Sequence, residues 1–315
     1  MIEAATEKSE DVRVDIAICT FRRPELAETL RSLAAIRVPE GTAIRIIVAD
    51  NDVEPGAAGL VDALRPEVPF EIDYVHCPAS NISVARNACL DTATGDYLAF
   101  VDDDETVSRD WLVRLLETAI ATGAEAVLGP VRAGYDLDAP SWMRRGDFHS
   151  TRPVWVSGQI VTGYTCNVLL DRKSASIAGR RFNLALGKTG GEDTEFFTHM
   201  HKDGGRLAYA PDALVYEIVP EKRASFEWLA KRRFRSGQTH GRLLTQATAG
   251  SGKAAAIVRA AAKSGYCVTA SLLFVASPVV RSRYALRAIM HAGVVSGLFG
   301  VRELEQYGAS EVAAP

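Results

Sequence analysis

The stretch Tyr97-Leu98-Ala99-Phe100-Val101 runs without a break into Asp102-Asp103-Asp104-Glu105. An unbroken apolar run suits a strand covered on both faces, the habit of a parallel sheet. Four adjacent carboxylates at the end of such a strand repel one another and are costly until a counter-charge arrives. A hard divalent cation held by carboxylate oxygens, with phosphate oxygens completing its shell, meets that need. In an open α/β sheet, ligands bind beyond the carboxyl ends of the strands. An apolar strand followed by acids therefore points to a fold class and to the edge where its chemistry sits. The plainer alternative is an acidic loop that leads into a helix capped by Ser108, ahead of Trp111, Leu112 and Leu115.

The flanking sequence repeats this alternation. Val14 to Cys19, Ile44 to Ala49, Ile72 to Val75, Tyr97 to Val101 and Ala126 to Leu128 read as strands. Helical patterns lie between them. One is opened by Pro24 and carries Leu26, Leu30 and Leu33 on one face; another is capped by Ser83 and runs through Val84 to Leu90; a third covers Trp111 to Ile120. Strands separated by helices imply a mostly parallel sheet wound by right-handed crossovers. After Pro130 the rhythm changes. Val154 to Val161 and Tyr164 to Leu170 read as a β-rich insertion, Glu192 to Met200 as a helix, Leu214 to Tyr216 as a late strand and Ser225 to Leu244 as a long basic helix.

Charge is unevenly distributed. The formal net charge is −3, yet Glu221 to Arg302 holds 14 Lys/Arg and only two acids, Glu221 and Glu227. Such a segment prefers an anionic partner, whether phosphate, nucleic acid or a membrane surface. Within it, Tyr266 to Val280 is apolar but broken by Pro278, and Ala288 to Phe299 is apolar apart from His291. Both are shorter than the roughly 18 apolar residues that mark a membrane span. They read as a helical hairpin lying in a membrane interface or on a partner, with a buried helical subdomain as the alternative. The polar, acidic stretch Met1 to Asp11 reads as a disordered tail without the basic and apolar regions of a signal peptide. The expected division is thus a tail over 1–11, an α/β domain over 12–245 and a helical, basic, membrane-associated region over 246–315.

Several classes are disfavoured. The five cysteines contain no C-x-x-C pair, so neither a zinc site nor a disulfide framework is indicated. Gly187-Lys188-Thr189 fails as a phosphate loop because Phe182 stands where glycine is required. No glycine-rich turn follows the first strand, and His199 and His201 are two residues apart and face different helix sides.

Taken singly, Asp50 could be a turn residue and Arg86 a surface arginine. Together, Thr20-Phe21-Arg22-Arg23, Asp50, Arg86-Asn87 and Asp102 with Asp104 all fall at or just beyond strand ends. A doubly wound sheet gathers such groups into one cleft, with amides, a carboxylate, an arginine and a metal-binding pair in an order that suits a nucleotide.

Five segments in order, I-A-I-C-T-F-R-R-P, V-A-D-N-D, I-S-V-A-R-N-A, F-V-D-D-D-E and G-G-E-D-T-E-F, resemble a family 2 glycosyltransferase. The resemblance covers about Val14 to Leu244 and is strongest to bacterial exopolysaccharide enzymes of the succinoglycan β-glucosyltransferase type. It implies a GT-A fold, inversion at the anomeric centre, and transfer of a sugar, glucose, from a UDP-sugar to a polyprenyl-diphosphate-linked saccharide. The implied setting is an anionic membrane surface at the cytoplasmic, inner face of the cell membrane, peripheral or monotopic, without nucleic acid. Mg²⁺ or Mn²⁺ is implied as cofactor. By the same resemblance Thr20 and Arg22 meet the base, Asp50 contacts uridine, and Arg86 and Asn87 lie near base and diphosphate. Asp102 and Asp104 are the acidic pair whose second member binds metal, and Asp193 is the catalytic base.

Two departures stand out. Relatives place a metal-binding histidine on a late strand where this chain reads Val215-Tyr216-Glu217, so the third metal contact is Glu217 or is missing. In place of the processive Q-x-x-R-W motif stands Arg232-Arg233-Phe234-Arg235, which implies single additions, with Arg232 and Arg235 gripping the diphosphate or the acceptor. The competing classes are a sugar-nucleotide-forming nucleotidyltransferase, against which the glycine-free Thr20–Arg23 loop speaks, and a non-catalytic membrane-bound assembly subunit, against which Asp102, Asp104 and Asp193 speak.

Overall fold

The computed structural model describes residues 12–247 and 250–301. The tail expected over Met1 to Asp11 lies outside the described residues, as does the segment after Val301. The chain divides into two compact units.

The first unit comprises residues up to 131, 152–182 and 196–216. Its seven-stranded sheet runs in the spatial order 207–209, 126–128, 167–171, 97–102, 12–20, 42–50, 71–76. The strand Val12–Thr20 is central and pairs in parallel with Thr42–Asp50 on one side and Tyr97–Asp102 on the other. Successive residues alternate between the two faces, so each strand feeds two cores. Val14, Ile16 and Ile18 pack with Leu26, Leu30, Trp111 and Leu115. Ala17, Leu98 and Phe100 pack with Ala85, Phe182 and Phe197 on the other face. Near the amino end of the central strand the buried Asp15 carboxylate is bound by Arg45 at 2.9 Å and accepts the amides of Thr94 and Gly95 at 2.6 and 2.7 Å.

The structure amends three expectations. Asn167–Asp171 is no insertion: it is an antiparallel strand of the central sheet, set between Tyr97–Asp102 and Ala126–Leu128. Of the expected insertion, the short ribbon Trp155–Val156 with Gln159–Ile160 forms a sheet of its own, and a further three-stranded sheet joins 105–107, 215–218 and 131–134. The third helix, Ile82–Thr92, is capped by Asn81, whose side chain accepts from the Ser83 amide, so Ser83 lies inside the first turn. The helix Trp111–Thr122 has Asp110 at its N-cap position, two residues later than Ser108.

The second unit comprises 132–151, 183–195 and 217 onward. It contains the helices Phe226–Ala247, Ser251–Leu273 and Pro278–Leu298. Pro278, which interrupts the apolar pattern, opens the last helix, where a missing amide hydrogen costs nothing. Phe226–Ala247 and Pro278–Leu298 pack with backbones in close approach. A Cβ on Gly237 would lie 2.0 Å from the Met290 carbonyl oxygen, and one on Gly293 2.0 Å from that of Phe234. Gly241 and Gly297 repeat this one turn on. Both helices thus carry the small-x-x-x-small spacing that lets backbones meet. Among the described residues no helix is long and apolar enough to cross a membrane.

Candidate active site

Register aligns the carboxyl ends of the parallel strands in the first unit. Thr20 pairs with Asp50, Asp50 with His76, and Cys19 with Asp102. The strand order turns about Val12–Thr20, with Tyr97–Asp102 on one side and Thr42–Asp50 on the other. That reversal is the switch point where open α/β sheets leave a crevice for ligands.

On the Asp50 side the polar groups are tightly organised. Asp50 is buried; Oδ1 accepts from the Asp52 amide at 3.0 Å, and Oδ2 accepts from the Ala57 amide at 2.9 Å and the Tyr74 hydroxyl at 2.7 Å. Burial, then the Asp50 carboxylate, hold the Tyr74 hydroxyl well above its ordinary value, so it remains a donor. Arg22 Nε donates to Asp52 at 2.7 Å, and its guanidinium sits 5.1 Å from the Phe21 ring centroid. This pairing with Arg22 holds the Asp52 carboxyl below the usual range. Arg22 is itself in the left-handed region at φ 55°, a conformation that costs a non-glycine residue about 1 kcal/mol and is commonest at functional sites.

Helix Ile82–Thr92 carries Arg86 and Asn87. Arg86 is buried, its guanidinium 5.6 Å from the Phe182 ring centroid. The Asn87 side chain closes on the Phe182 peptide, donating to its carbonyl and accepting from its amide, both at 2.9 Å. Asn87 thereby fixes Phe182, which stacks on Phe196 at 4.4 Å.

On the Asp102 side the acidic run splits. The Asp102 amide donates to Glu105 Oε2 at 3.0 Å, and Glu105 is buried. Carboxylate oxygens of Asp102 and Glu105 and the Cys166 sulfur all lie within 4.8 Å of one another. Cys166 arrives there because Asn167 begins the antiparallel strand opposite Val101. Asp104 instead lies 3.7 Å from Arg23. Asp103 points into the protein, where burial, then repulsion from Asp104, push its carboxyl up to about 7. Two carboxylates and a thiol make a donor set that fits a divalent cation. Glu105 and Cys166 were not among the residues singled out from the sequence. Glu105 was visible in the acidic run, whereas Cys166 carried no local signal and read as a small apolar residue.

The remaining residues belong to the second unit. Gly190 and Gly191 adopt φ 86° and 88° and lead into helix Glu192–Lys202. Asp193, half-buried in its first turn, accepts from the Thr194 amide at 2.6 Å and the Thr194 hydroxyl at 3.2 Å. A carboxylate in that position is favoured by the amides of the helix start. Glu217 is bound by Arg223 at 2.6 Å. The Arg232 guanidinium lies 5.3 Å from the Trp228 ring centroid, and Arg235 is half-buried on the same helix.

A mostly parallel sheet whose strand order reverses beside an acid-bearing strand end is the arrangement of the GT-A fold. The chain belongs to glycosyl transferase family 2, whose model matches residues 15–176, and it is a glycosyltransferase. It is 65% identical over 306 residues to the succinoglycan biosynthesis protein ExoM of Rhizobium meliloti (strain 1021), covering 97% of this chain and 99% of that one. It is also 25% identical to the glucosyl-dolichyl phosphate glucuronosyltransferase of Haloferax volcanii, over 72% of this chain and 75% of that one. Among solved structures, the mannosyltransferase PcManGT from Pyrobaculum calidifontis, in complex with GDP-Man and Mn²⁺, has the same fold. Its TM-score is 0.62 at 18% identity, covering 94% of this chain and 92% of that one.

Proposed function

We propose that this protein is a metal-dependent, inverting hexosyltransferase of succinoglycan-type exopolysaccharide synthesis. It moves a sugar, glucose, from a UDP-sugar to a hydroxyl of a polyprenyl-diphosphate-linked oligosaccharide at an anionic membrane surface, the inner face of the cell membrane. The observation that carries the reading is the Asp102–Glu105–Cys166 donor set at the sheet's reversal point. The 65% identity to a succinoglycan biosynthesis protein supports the pathway.

When bound, Mg²⁺ or Mn²⁺ neutralises the diphosphate and makes UDP a competent leaving group. Asp102 and Glu105, with Cys166 as a soft donor and Asp104 nearby, are the residues that would hold it. The mixed donor set favours Mn²⁺ over the strictly oxygen-seeking Mg²⁺. Thr20 and the Arg22–Asp52 pair are assigned to the nucleoside, and Asp50 acts on it through the loop its carboxylate organises. Arg86 answers the diphosphate charge, and Asn87 supports it by anchoring Phe182. The acceptor oxygen attacks the anomeric carbon opposite UDP, the bond from that carbon to the phosphate oxygen breaks, and Asp193 takes the hydroxyl proton. Arg232 and Arg235 are assigned to the diphosphate of donor or acceptor, and Glu217 keeps the place of a further metal contact.

The test is a donor screen. UDP-glucose and other nucleotide sugars are incubated with lipid-linked acceptor and Mn²⁺, and UDP release and product mass are followed. Glucose transfer that depends on both cation and acceptor is expected. Transfer from a different donor, or turnover unaffected by EDTA, would overturn the donor or the metal assignment respectively.

A further inference from the structure

We propose that the turn joining the last two helices is a membrane-insertion tip. Leu272, Leu273 and Val275 enter the acyl edge of an anionic bilayer while Arg281 and Arg287 meet its phosphates. This rests on the membrane-surface reading above and goes beyond it by assigning which end of the hairpin enters and through which side chains.

The tip is apolar where it should be polar. Leu272, Leu273 and Val275 are 73%, 77% and 63% exposed, the first two closing helix Ser251–Leu273 and the third just beyond it. Isolated exposed leucines are ordinary, but a contiguous apolar turn marks an interaction site. The exposure is built in. Phe274, between them, stacks on Tyr284 at 5.8 Å and 7°, and Tyr266 meets the same ring edge-on at 6.3 Å. The Ser271 hydroxyl donates to the Arg281 carbonyl at 3.1 Å, and the Ser277 amide to that of Phe274 at 3.0 Å. With the turn fixed by these contacts, Phe274 is itself left 47% exposed and the three aliphatic side chains are held in solvent around it.

The charges around the tip select its partner. Between Trp228 and Val301 there are 11 Lys/Arg and no Asp or Glu. Helix Pro278–Leu298 starts at the turn with no acid in its first turn, so the positive end of its dipole faces the same way as its arginines. Arg281 and Arg287 are exposed and lie three and nine residues beyond Pro278. At 1.5 Å per residue that is about 4 to 14 Å along the axis. Amphipathic elements settle about 5–10 Å into the headgroup boundary, so a tip-first approach brings Arg281 to phosphate depth, and the long Arg287 side chain, tilted toward the helix N-terminus, reaches down to it from a few ångströms above. Lys263, exposed and ten residues before Leu273, lies about 15 Å up the other helix and opposes deeper entry. A second copy of the chain would bring like charges together at this patch. A nucleic acid would use the arginines and leave the aliphatic tip in water.

Flotation of the full chain with phosphatidylcholine vesicles, with and without phosphatidylglycerol, tests this. The wild type should float with the anionic vesicles, and Leu272→Ser/Leu273→Ser/Val275→Ser should bind them about tenfold more weakly or worse, with circular dichroism unchanged. Arg281→Gln/Arg287→Gln should lose the preference for phosphatidylglycerol. Leu273→Trp gives a readout that tolerates no misfolding argument: its emission should shift to the blue and be quenched by brominated lipid. Equal flotation of wild type and triple variant, or an unquenched Trp, overturns the tip while leaving the surface reading intact. A wild type that stays in solution overturns both. A triple variant that shifts the chain from dimer to monomer without lipid makes the tip a contact between copies and also overturns the proposal.

Discussion

The main-chain N–H of Asp102 donates to the carboxylate of Glu105 at 3.0 Å. The chain therefore folds back within three residues, and the first and last acids of the run share one side while Asp104 faces Arg23. The carboxylates brought together at this edge are therefore not an alternate pair along the strand.

Sulfur should leave a signature in cation preference. Cys166→Ser is expected to weaken Mn²⁺-supported UDP binding about tenfold and Mg²⁺-supported binding less, because a hydroxyl is the harder donor. Asp102→Asn should remove the cation-dependent part for both. Titration calorimetry of UDP with each metal reads this, and equal losses for the two cations in Cys166→Ser would make the sulfur a packing atom.

Asp193→Asn should lower turnover by roughly 10²–10⁴-fold and leave donor affinity nearly unchanged, as loss of a general base does. UDP-sugar affinity measured beside single-turnover rates separates the cases. A parallel fall in affinity would assign Asp193 to binding.

Asn87→Ala leaves the Phe182 amide and carbonyl without their side-chain partner, which costs about 1 kcal/mol at a part-buried site. The urea midpoint should drop accordingly, and donor KM should rise because Arg86 packs on the Phe182 ring. An unchanged midpoint would mean that water replaces both bonds.

His149 offers a pH test within the second unit. Its ring stacks on Trp228 at 5.1 Å, Nδ1 accepts from Tyr135 at 3.0 Å and Nε2 donates to the Arg223 carbonyl at 3.0 Å. Burial, and then neighbouring arginines, lower its pKa from 6.5 to about 4. The unfolded chain thus takes up a proton that the folded one refuses, so stability should be complete above pH 6.5 and fall as pH drops toward 4. His149→Gln should flatten that part of the curve of melting temperature against pH. An equal slope in the variant would point to other groups.

The sign of a glycine substitution tests the helix pair. In an exposed helix Gly→Ala stabilises by about 1 kcal/mol. Gly293→Ala should instead destabilise by about 1–3 kcal/mol, because its methyl meets the Phe234 carbonyl at 2.0 Å. Gly265→Ala, on helix Ser251–Leu273 with nothing within 4 Å, should follow the ordinary rule. Thermal melts of the two variants decide it.

Much of the fold was legible because local rules and tertiary needs agree. Continuous apolar runs such as Ile46 to Ala49 and Tyr97 to Val101 can be satisfied only by burial on both faces, and Thr42–Asp50 and Tyr97–Asp102 are interior strands. The strand-end position of Asp50 and Asp102 followed from the same pattern. Asn167–Asp171 reads as part of an insertion because an antiparallel strand set inside a mostly parallel sheet differs from one only in its partners, one of which lies about seventy residues back at Tyr97–Asp102. The C-terminal apolar stretches were visible, but their extent as helices was not. Glycines at 237, 241, 293 and 297 look like helix breakers until the facing backbone is present.

By itself, then, the sequence determined the alternation of strands and helices, the edge where the polar groups gather and the cationic C-terminal region, all of which follow from periodicity and charge along a single segment. Only the tertiary structure decided that Glu105 and Cys166 join Asp102, that Asn87 is closed on Phe182 and that Leu272, Leu273 and Val275 are left outside the core. Each of those depends on which distant segment a strand register or a helix contact brings alongside, and spacing along the chain carries no record of that.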